Sequence, residues 1–241
     1  MNTIKMSTPK PLMIAHRGLC GLERENTCAA FIAAGNRSYY GIETDVHKTI
    51  DGKYAIIHDN TTLRVAGEEL VVEESELSAL RQLQLLDLDT GLPRVDLRIP
   101  TLEEYISLCK KYEKVADLEL KNRMPKEAVL EIAGIISSLG YLDHTVFISF
   151  SLENLIDLRE RYPEQPAQYL LSTIADIGAV LEILKKYALD LDVKYTAVTQ
   201  ELLTVMHENG IKVNVWTVNT LEEAEKLAEM GVDFITTNIL E

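Results

Sequence analysis

Long apolar runs and paired cysteines are both missing from this sequence of 241 residues. No run approaches the ~18 to 20 apolar residues of a transmembrane helix, and the start of the chain has no apolar stretch of signal-peptide length. We expect a short disordered lead before the first strand. The three cysteines, Cys20, Cys28 and Cys109, are odd in number and lack metal-type spacing, which indicates reduced thiols. The expectation is a cytoplasmic protein without a membrane-inserted segment.

Positive charge is scarce as well. The chain has 24 lysines and arginines against 38 acidic residues, a formal net charge of −14. Nucleic acids and anionic membranes are bound through basic patches, so we expect neither as a partner. A small anionic substrate remains compatible with this charge if nearby basic side chains neutralise it.

No low-complexity segment or linker divides the chain, and short β-type runs alternate with amphipathic helical stretches. Strands are predicted near residues 12–16, 41–47, 54–59, 115–121, 145–150, 167–172, 189–195, 212–218 and 233–237. Helices are predicted near residues 27–36, 101–112, 126–139, 152–161, 175–187, 200–208 and 220–230. The pair Asp51-Gly52 is typical of a hairpin turn, which makes the second and third runs a hairpin and leaves about eight strands in series.

Repeated strand–helix units predict a parallel sheet with right-handed crossovers. We therefore predict an α/β fold in which one (β/α)8 barrel domain spans residues 1–241. Residues 60–100 break the alternation and are predicted to form a small insertion with one helix near 75–86. The last outer helix is expected to be missing or vestigial.

Two acids on the second predicted strand suggest a metal site. Glu43, Asp45 and His47 alternate with their neighbours, so they share one face of the strand. Burying two carboxylates inside a barrel requires a counter-charge, and a hard cation such as Mg²⁺ or Ca²⁺ suits oxygen ligands. A pair of solvated surface acids is the alternative. His47 has no clear partner, and we interpret it as a supporting or structural residue.

Candidate catalytic groups follow other predicted strands. His16 and His58 each end an apolar strand, and two imidazoles beside carboxylates can act as general acid and base. Glu119 and Lys121 share a strand face at the carboxyl end, where barrel active sites lie, although a surface ion pair has the same spacing. Each histidine taken alone is more typical of a structural residue.

Two basic residues and one tryptophan complete the candidates. Arg17 matches a phosphate in bidentate fashion, and Lys121 adds a point charge, so together they could bind one phosphodiester. Trp216 is the only tryptophan and ends a predicted strand. It is either a core residue or an apolar wall for a small polyol or head group.

The segments AHRG, ENTCAAFIAA and GIETDVHKTIDGKYAIIHD, in this order, closely resemble the glycerophosphodiester phosphodiesterase family. The later segments IPTLEEYI, LELK, ISFS and VNVWTVN fit the same family, so the resemblance extends from about residue 12 to residue 238. No single motif is specific, but the combination of HRG, ENT, E-x-D-V, D-G and H-D in this order is.

The resemblance implies a barrel enzyme that hydrolyses glycerophosphodiesters to glycerol 3-phosphate and an alcohol with a divalent cation, Mg²⁺ or Ca²⁺. The family's functional residues map onto catalytic histidines at His16 and His58, metal-binding carboxylates at Glu43, Asp45 and Glu119, and phosphate-contacting bases at Arg17 and Lys121. Trp216 matches a late-strand tryptophan of the family. Which histidine is the acid and which the base stays open.

The chain also departs from the family pattern. Arg24 replaces a common proline before Glu25, Asn26 and Thr27, of which Asn26 or Thr27 is expected to cap the first helix while Glu25 supports the site. Asn238 stands where the last strand usually ends in aspartate. The missing terminal helix leaves one barrel face open or covered by a partner subunit, so a homo-oligomer is one expectation.

Two other functions are compatible with the same residues. A phospholipase-like lyase on this barrel would stop at a cyclic phosphate. A binding module that has lost catalysis would hold glycerophosphodiesters without turnover. The leaving alcohol is not determined by any of these motifs.

Overall fold

Eight parallel strands close into a barrel in the computed structural model, which describes residues 2–6 and 11–241. The strands are β1 (Leu12–Ala15), β2 (Gly41–Lys48), β3 (Tyr54–Ile56), β4 (Val115–Leu120), β5 (Thr145–Ser149), β6 (Ala167–Leu171), β7 (Asp190–Lys194), β8 (Val213–Trp216) and β9 (Phe234–Thr237). Strand β1 pairs in parallel with both β2 and β9, which closes the ring. Strand β3 pairs antiparallel with β2 only. The predicted (β/α)8 fold and its hairpin are therefore confirmed.

Helices follow the barrel strands along the chain and surround them. The long ones are α1 (Cys28–Gly35), α4 (Leu102–Lys111), α5 (Lys126–Ser138), α6 (Leu152–Arg161), α7 (Ile177–Tyr187), α8 (Gln200–Glu208) and α9 (Leu221–Met230), and two short ones are α2 (Leu63–Ala66) and α3 (Leu77–Leu80). Helix α4 begins with a capping box, since the Thr101 hydroxyl accepts from the Glu104 N–H while the Glu104 carboxylate accepts from the Thr101 N–H. In the described residues, no helix is long and apolar enough to cross a membrane.

The apolar core and the polar barrel interior occupy different places. Between strands and helices, Phe31 of α1 packs edge-to-face on Tyr105 of α4, with ring centroids 5.1 Å apart. Inside the barrel, buried polar side chains project from several strands, among them Asp117, Gln168 and Asp192. The register places Asp45 of β2 opposite Glu119 of β4, near the carboxyl ends of both strands. Parallel strands thus bring distant acids to one end of the barrel.

The insertion differs from the predicted single helix near 75–86. Between β3 and α4 the chain forms α2, a 3₁₀ turn at Val72–Glu74 and α3, which ends at Leu80. The Leu85 N–H donates to the Leu97 carbonyl, and both side chains are buried in a small core of the insertion. This pairing ends the helix at Leu80, six residues earlier than the apolar pattern indicates.

The expected disordered lead is wrong for the part of it that the structure describes. The Ile4 N–H donates to the Ile239 carbonyl and the Met6 N–H to the Glu241 carbonyl, so residues 2–6 lie beside the segment that follows β9. Met6 and Leu240 are both buried in the main core. Residues 7–10 lie outside the described residues. No helix follows β9 in the described residues, as predicted, and this N-terminal segment packs there instead.

Candidate active site

His16 and Arg17 lie in a tight turn that follows the carboxyl end of the first strand. The His16 N–H still donates to the Thr237 carbonyl of β9, but Arg17 and Gly18 have positive φ angles of 51° and 76°. This turn points the Arg17 backbone N–H at Glu43 Oε2, 2.7 Å away. A Cβ on Gly18 would lie 2.7 Å from the Ala30 Cβ, so glycine is needed both for its backbone angle and for its small size.

Three carboxylates meet at the centre of the site. Glu43, Asp45 and Glu119 are buried, and each offers an oxygen within 4.8 Å of the others. Lys121 Nζ lies 2.8 Å from Glu119 Oε1 and 3.4 Å from Asp45 Oδ1, and Arg17 Nε lies 3.6 Å from Asp45 Oδ2. With all three acids ionised, they would face two cations, and one buried negative charge would have no partner.

The ionisation of these acids reflects that surplus. Burial, with Asp45 nearby, raises the pKa of Glu43 well above its usual range, and the same causes raise the pKa of Glu119 to about 8. Burial also raises the pKa of Asp45, but the charges of Lys121 and Arg17 outweigh it and hold that pKa below its usual range. Asp45 is thus the carboxylate that stays ionised, and the other two need a further positive charge to join it.

The three residues of the ENT segment, Glu25, Asn26 and Thr27, make different contacts in the site. Asn26, with φ 52°, donates from Nδ2 to Asp45 Oδ2 at 2.8 Å and accepts from the Thr44 hydroxyl at 2.6 Å. Thr27 caps α1 by accepting from the Ala30 N–H. Glu25 accepts from Arg17 Nη1 at 2.9 Å. The helix cap is therefore Thr27, and Asn26 orients a metal-ligand candidate.

His16 is held by an amide on the last strand. Its Nδ1 lies 2.7 Å from Asn238 Oδ1, and because that oxygen only accepts, the ring carries its proton on Nδ1. Nε2 is then left as the acceptor nitrogen. Burial lowers the pKa of His16 to about 4, and the neighbouring Arg17 charge acts in the same direction. His16 is therefore a neutral imidazole around pH 7.

His58 is held by a carboxylate instead. Its Nδ1 donates to Asp59 Oδ1 at 2.6 Å, and Asp59 also accepts from Arg64 of α2 at 2.6 Å. Arg64 continues to Glu25 through two hydrogen bonds of 2.6 and 2.8 Å. Burial lowers the pKa of His58 too, but the carboxylates of Asp45 and Asp59 oppose that shift. An imidazolium is thus better supported at His58 than at His16.

The two histidines, two of the three acids and the tryptophan line one small cavity of about 60 Å³ at the carboxyl end of the barrel, whereas Asp45 and Lys121 lie behind this lining. Its lining includes His16, Arg17, Glu43, His58, Glu119, Phe150, Asp192 and Trp216. The Trp216 ring packs edge-to-face on Phe150, with centroids 5.6 Å apart, and its indole N–H has no partner among the described residues. Trp216 is therefore a cavity wall rather than a core residue.

His47 lies outside this cavity. Its ring is fully buried, with Nδ1 3.0 Å from Glu73 Oε1 and Nε2 3.2 Å from the His58 carbonyl. It ties strand β2 to the segment that carries His58, in agreement with its interpretation as a supporting residue.

Sequence reasoning gave no role to four residues of the site, Asp59, Arg64, Phe150 and Asp192, and it noted Asn238 only as a departure from the family pattern. Asp59 follows His58 directly, and its adjacency was a usable signal. Asn238 lies 222 positions from His16, and Arg64 lies in the insertion, so only the fold brings them to the histidines. Phe150 follows β5 directly, and Asp192 is the middle residue of β7, where side chains of alternate residues face the barrel interior.

Comparison with known proteins agrees with this geometry. The model of the glycerophosphoryl diester phosphodiesterase family matches residues 16–241. A glycerophosphodiester phosphodiesterase of Caldanaerobacter subterraneus subsp. tengcongensis is 30% identical over 231 residues, which cover 95% of this chain and 94% of the relative.

Solved structures are similar over the same length. One is a phosphodiesterase from Oleispira antarctica in complex with the product sn-glycerol-3-phosphate, with a TM-score of 0.83, 27% identity and coverage of 98% of this chain and 96% of that one. Another is a glycerophosphodiester phosphodiesterase from Thermotoga maritima, with a TM-score of 0.78, 25% identity and 96% coverage of both chains. The chain therefore belongs to the glycerophosphoryl diester phosphodiesterase family and is an enzyme of that class.

Proposed function

We propose that the protein hydrolyses glycerophosphodiesters to glycerol 3-phosphate and an alcohol, with two histidines as general acid and base and a divalent cation as cofactor. The observation that carries the proposal is the cavity in which His16 and His58 lie beside three buried carboxylates and two basic side chains. The sn-glycerol-3-phosphate bound to the Oleispira antarctica enzyme supports the choice of product.

The acidic cluster fits a divalent cation. Ionisation of all three acids leaves one negative charge that Arg17 and Lys121 do not balance, and Asp45 Oδ1 has no hydrogen-bond partner among the described residues. Carboxylate oxygens are the donors that Mg²⁺ and Ca²⁺ prefer. A cation bound by Glu43, Asp45 and Glu119 would stabilise charge on the phosphate and lower the pKa of the attacking hydroxyl. Turnover with Mg²⁺ compared with turnover with Ca²⁺ distinguishes the two cations.

The substrate phosphate is bound beside Arg17 and Lys121. Arg17 Nε is buried without a hydrogen-bond partner among the described residues, so it is available to a phosphate oxygen. Lys121 adds a second positive charge, and its ammonium contacts Asp45 and Glu119. Trp216, whose buried indole N–H has no partner among the described residues, forms the wall for the glycerol or the head group.

The hydrogen bonds of the two rings assign their roles. His16 donates from Nδ1 to the neutral side chain of Asn238, which leaves Nε2 as an acceptor. His16 is therefore the base. His58 donates from Nδ1 to the carboxylate of Asp59, which stabilises the protonated ring. His58 is therefore the acid. His16 takes the proton of the neighbouring glycerol hydroxyl as that oxygen attacks phosphorus, and His58 protonates the departing alcohol. Water then opens the cyclic phosphate with the two roles reversed.

Release of glycerol 3-phosphate from a panel of diesters tests the function. Glycerophosphocholine, glycerophosphoethanolamine, glycerophosphoglycerol and glycerophosphoinositol are incubated with the protein and Mg²⁺, Ca²⁺ or EDTA. We expect release that EDTA abolishes and that one of the two metals restores. A cyclic phosphate that persists in phosphorus NMR would contradict hydrolysis and indicate the lyase. Binding of diesters without turnover under every metal condition would indicate the binding module.

A pair of substitutions tests the assigned roles. Asn238→Asp places a carboxylate at His16 Nδ1, which raises the pKa of the base by roughly one to three units. A base works only when it is unprotonated, so the acidic limb of the profile of kcat/KM against pH moves to higher pH. Asp59→Asn removes the carboxylate from His58, which lowers the pKa of the acid, so the alkaline limb moves to lower pH. If Asn238→Asp moved the alkaline limb and Asp59→Asn moved the acidic limb, His58 would be the base and His16 the acid.

The location and assembly complete the proposal. The three cysteines are unpaired thiols, which fits the cytoplasmic location that we propose. Residues 2–6 pack beside the segment after β9, where an uncovered barrel face was the reason to expect a partner subunit. A homo-oligomer stays a prediction, but the uncovered face no longer supports it, because residues 2–6 pack there.

A further inference from the structure

Arg64 lies in the insertion, but its guanidinium reaches the side chains around the active site. The residue belongs to the short helix α2, and its side chain is 45% exposed. Arg64 is absent from the lining of the active-site cavity. Any part that it has in the reaction must therefore act through other side chains rather than by contact with the substrate.

The guanidinium of Arg64 binds two carboxylates, each through two hydrogen bonds. Toward Asp59, Nε donates at 2.6 Å and Nη2 at 3.0 Å. Toward Glu25, Nη1 donates at 2.6 Å and Nη2 at 2.8 Å. The planar fork of an arginine suits such paired contacts, which fix the orientation of each carboxylate as well as its position. The ammonium of a lysine is a point charge and has no such fork.

Each of these two carboxylates holds a residue of the proposed reaction. Asp59 Oδ1 accepts from His58 Nδ1 at 2.6 Å, and Glu25 Oε1 accepts from Arg17 Nη1 at 2.9 Å. The hydrogen bonds from Arg64 are the largest cause that lowers the pKa of Asp59 to about 2. Asp59 is thus an ionised carboxylate whose two oxygens both bond Arg64, and one of them also bonds the His58 ring.

The helix that carries Arg64 is anchored by contacts of other residues. Val65 is buried in the small core of the insertion, which includes Ala55 of β3. The Val65 carbonyl accepts from the Leu86 N–H at 2.7 Å. Apolar packing therefore fixes α2 against the barrel, whereas partly exposed ion pairs such as those of Arg64 contribute little to stability.

We infer that Arg64 is a positioning residue for the acid of the reaction: it orients the Asp59 carboxylate, which in turn orients the His58 ring toward the departing alcohol. This role rests on the proposed function, in which His58 protonates that alcohol. Glu25 holds the other edge of the guanidinium and fixes its plane. Without Arg64, the Asp59 carboxylate, which is 29% exposed, would turn toward water, and His58 would lose an oriented partner.

The leaving group of the substrate tests this role. The fastest diester of the panel above releases an alcohol, which needs a proton, whereas the p-nitrophenyl ester of glycerol 3-phosphate releases p-nitrophenolate, which leaves without one. We expect Arg64→Met to lower kcat by about 10- to 100-fold for the alcohol ester and by less than about threefold for the p-nitrophenyl ester. A loss of folded protein or of bound metal would lower both rates by the same factor, so the ratio of the two rates isolates the acid.

Three further variants extend the comparison. Arg64→Lys keeps the charge without the paired hydrogen bonds, so its kcat for the alcohol ester should lie between those of the wild type and Arg64→Met. Adding Arg64→Met to Asp59→Asn should cost less than about threefold more, because the two residues act in one chain of hydrogen bonds. Arg81→Met is the matched control and should leave both rates unchanged, since Arg81 forms two hydrogen bonds to Glu104 from the same insertion.

The wild-type rates separate this role from the proposed function. If the wild type hydrolysed neither ester, the proposed function would fail and the role of Arg64 with it. If the wild type hydrolysed both esters and Arg64→Met slowed them by equal factors, the positioning role would be overturned while the function stood. Fully additive losses of Arg64→Met and Asp59→Asn would overturn it as well, because Arg64 would then not act through Asp59.

Discussion

A His16→Gln variant is expected to lose kcat by about 10²- to 10⁴-fold, and a His58→Gln variant by a similar factor. Both rings line the same cavity, and each has its Nδ1 occupied by a neighbour, so only the Nε2 atoms are available to move a proton. Glutamine keeps a polar side chain of similar length but cannot exchange a proton near neutral pH. The measurement is steady-state release of glycerol 3-phosphate at saturating substrate and metal.

Three comparisons make this result decisive. The double variant should be little slower than the worse single variant, because the two groups act in the same step. His207→Gln is the control, since this partly exposed histidine pairs with Asp233 on the outer surface. All variants should have thermal unfolding midpoints close to that of the wild type. Near-normal turnover of either His16→Gln or His58→Gln would exclude the two-histidine scheme.

Glu119→Gln is expected to separate stability from activity. The substitution removes one metal-ligand candidate, and loss of a direct ligand should weaken Mg²⁺ or Ca²⁺ binding by about 100-fold or more, with a similar loss of turnover. In EDTA, the same variant should be more stable than the wild type around pH 7, because the wild-type Glu119, whose pKa burial raises to about 8, must take up a proton on folding. Calorimetric metal titration and thermal unfolding with and without metal measure both effects.

The direction of the pH effect follows from the raised pKa of Glu119. That pKa is about 8 in the folded protein, against 4.5 for the free side chain, so the folded state binds the proton more tightly. Stability in EDTA therefore falls as the pH rises from about 4.5 to about 8, and Glu119→Gln should reduce this slope. Glu164→Gln, at an exposed position, is the control and should change neither property. A lower midpoint for Glu119→Gln in EDTA would contradict the account.

Much of the site was predictable because its signals are local. Glu43 and Asp45 lie two residues apart, which places both on one face of a strand, and His16, Lys121 and Trp216 each end or follow a strand. In a parallel barrel the carboxyl ends of all strands meet at one face, so local position along the chain is enough to bring these residues together. The positions agree with the predicted site, whereas the roles stay proposals for the experiments above.

Other features depended on contacts that no local pattern carries. The helix predicted near 75–86 is shorter in the structure, Leu77–Leu80, because Leu85 is paired and packed with Leu97, and helix periodicity contains no information about such a partner. The disordered lead is wrong for residues 2–6 because backbone hydrogen bonds of Ile4 and Met6 with residues 239–241 stabilise them. Both errors arise where tertiary packing outweighs local preference.

The amino-acid sequence by itself determined the order of strands and helices, the hairpin and the two-residue spacing of the acids, because periodicity and turn residues act over a few positions. Only the tertiary structure decided that His16 rests on an amide and His58 on a carboxylate, and that Arg64 of the insertion links Asp59 to Glu25. It alone also buried both carboxylate oxygens of Asp117 in the barrel without a hydrogen-bond partner among the described residues. Hydrogen-bond partners and burial arise from groups far apart in the chain, and they set the charge that each side chain can hold.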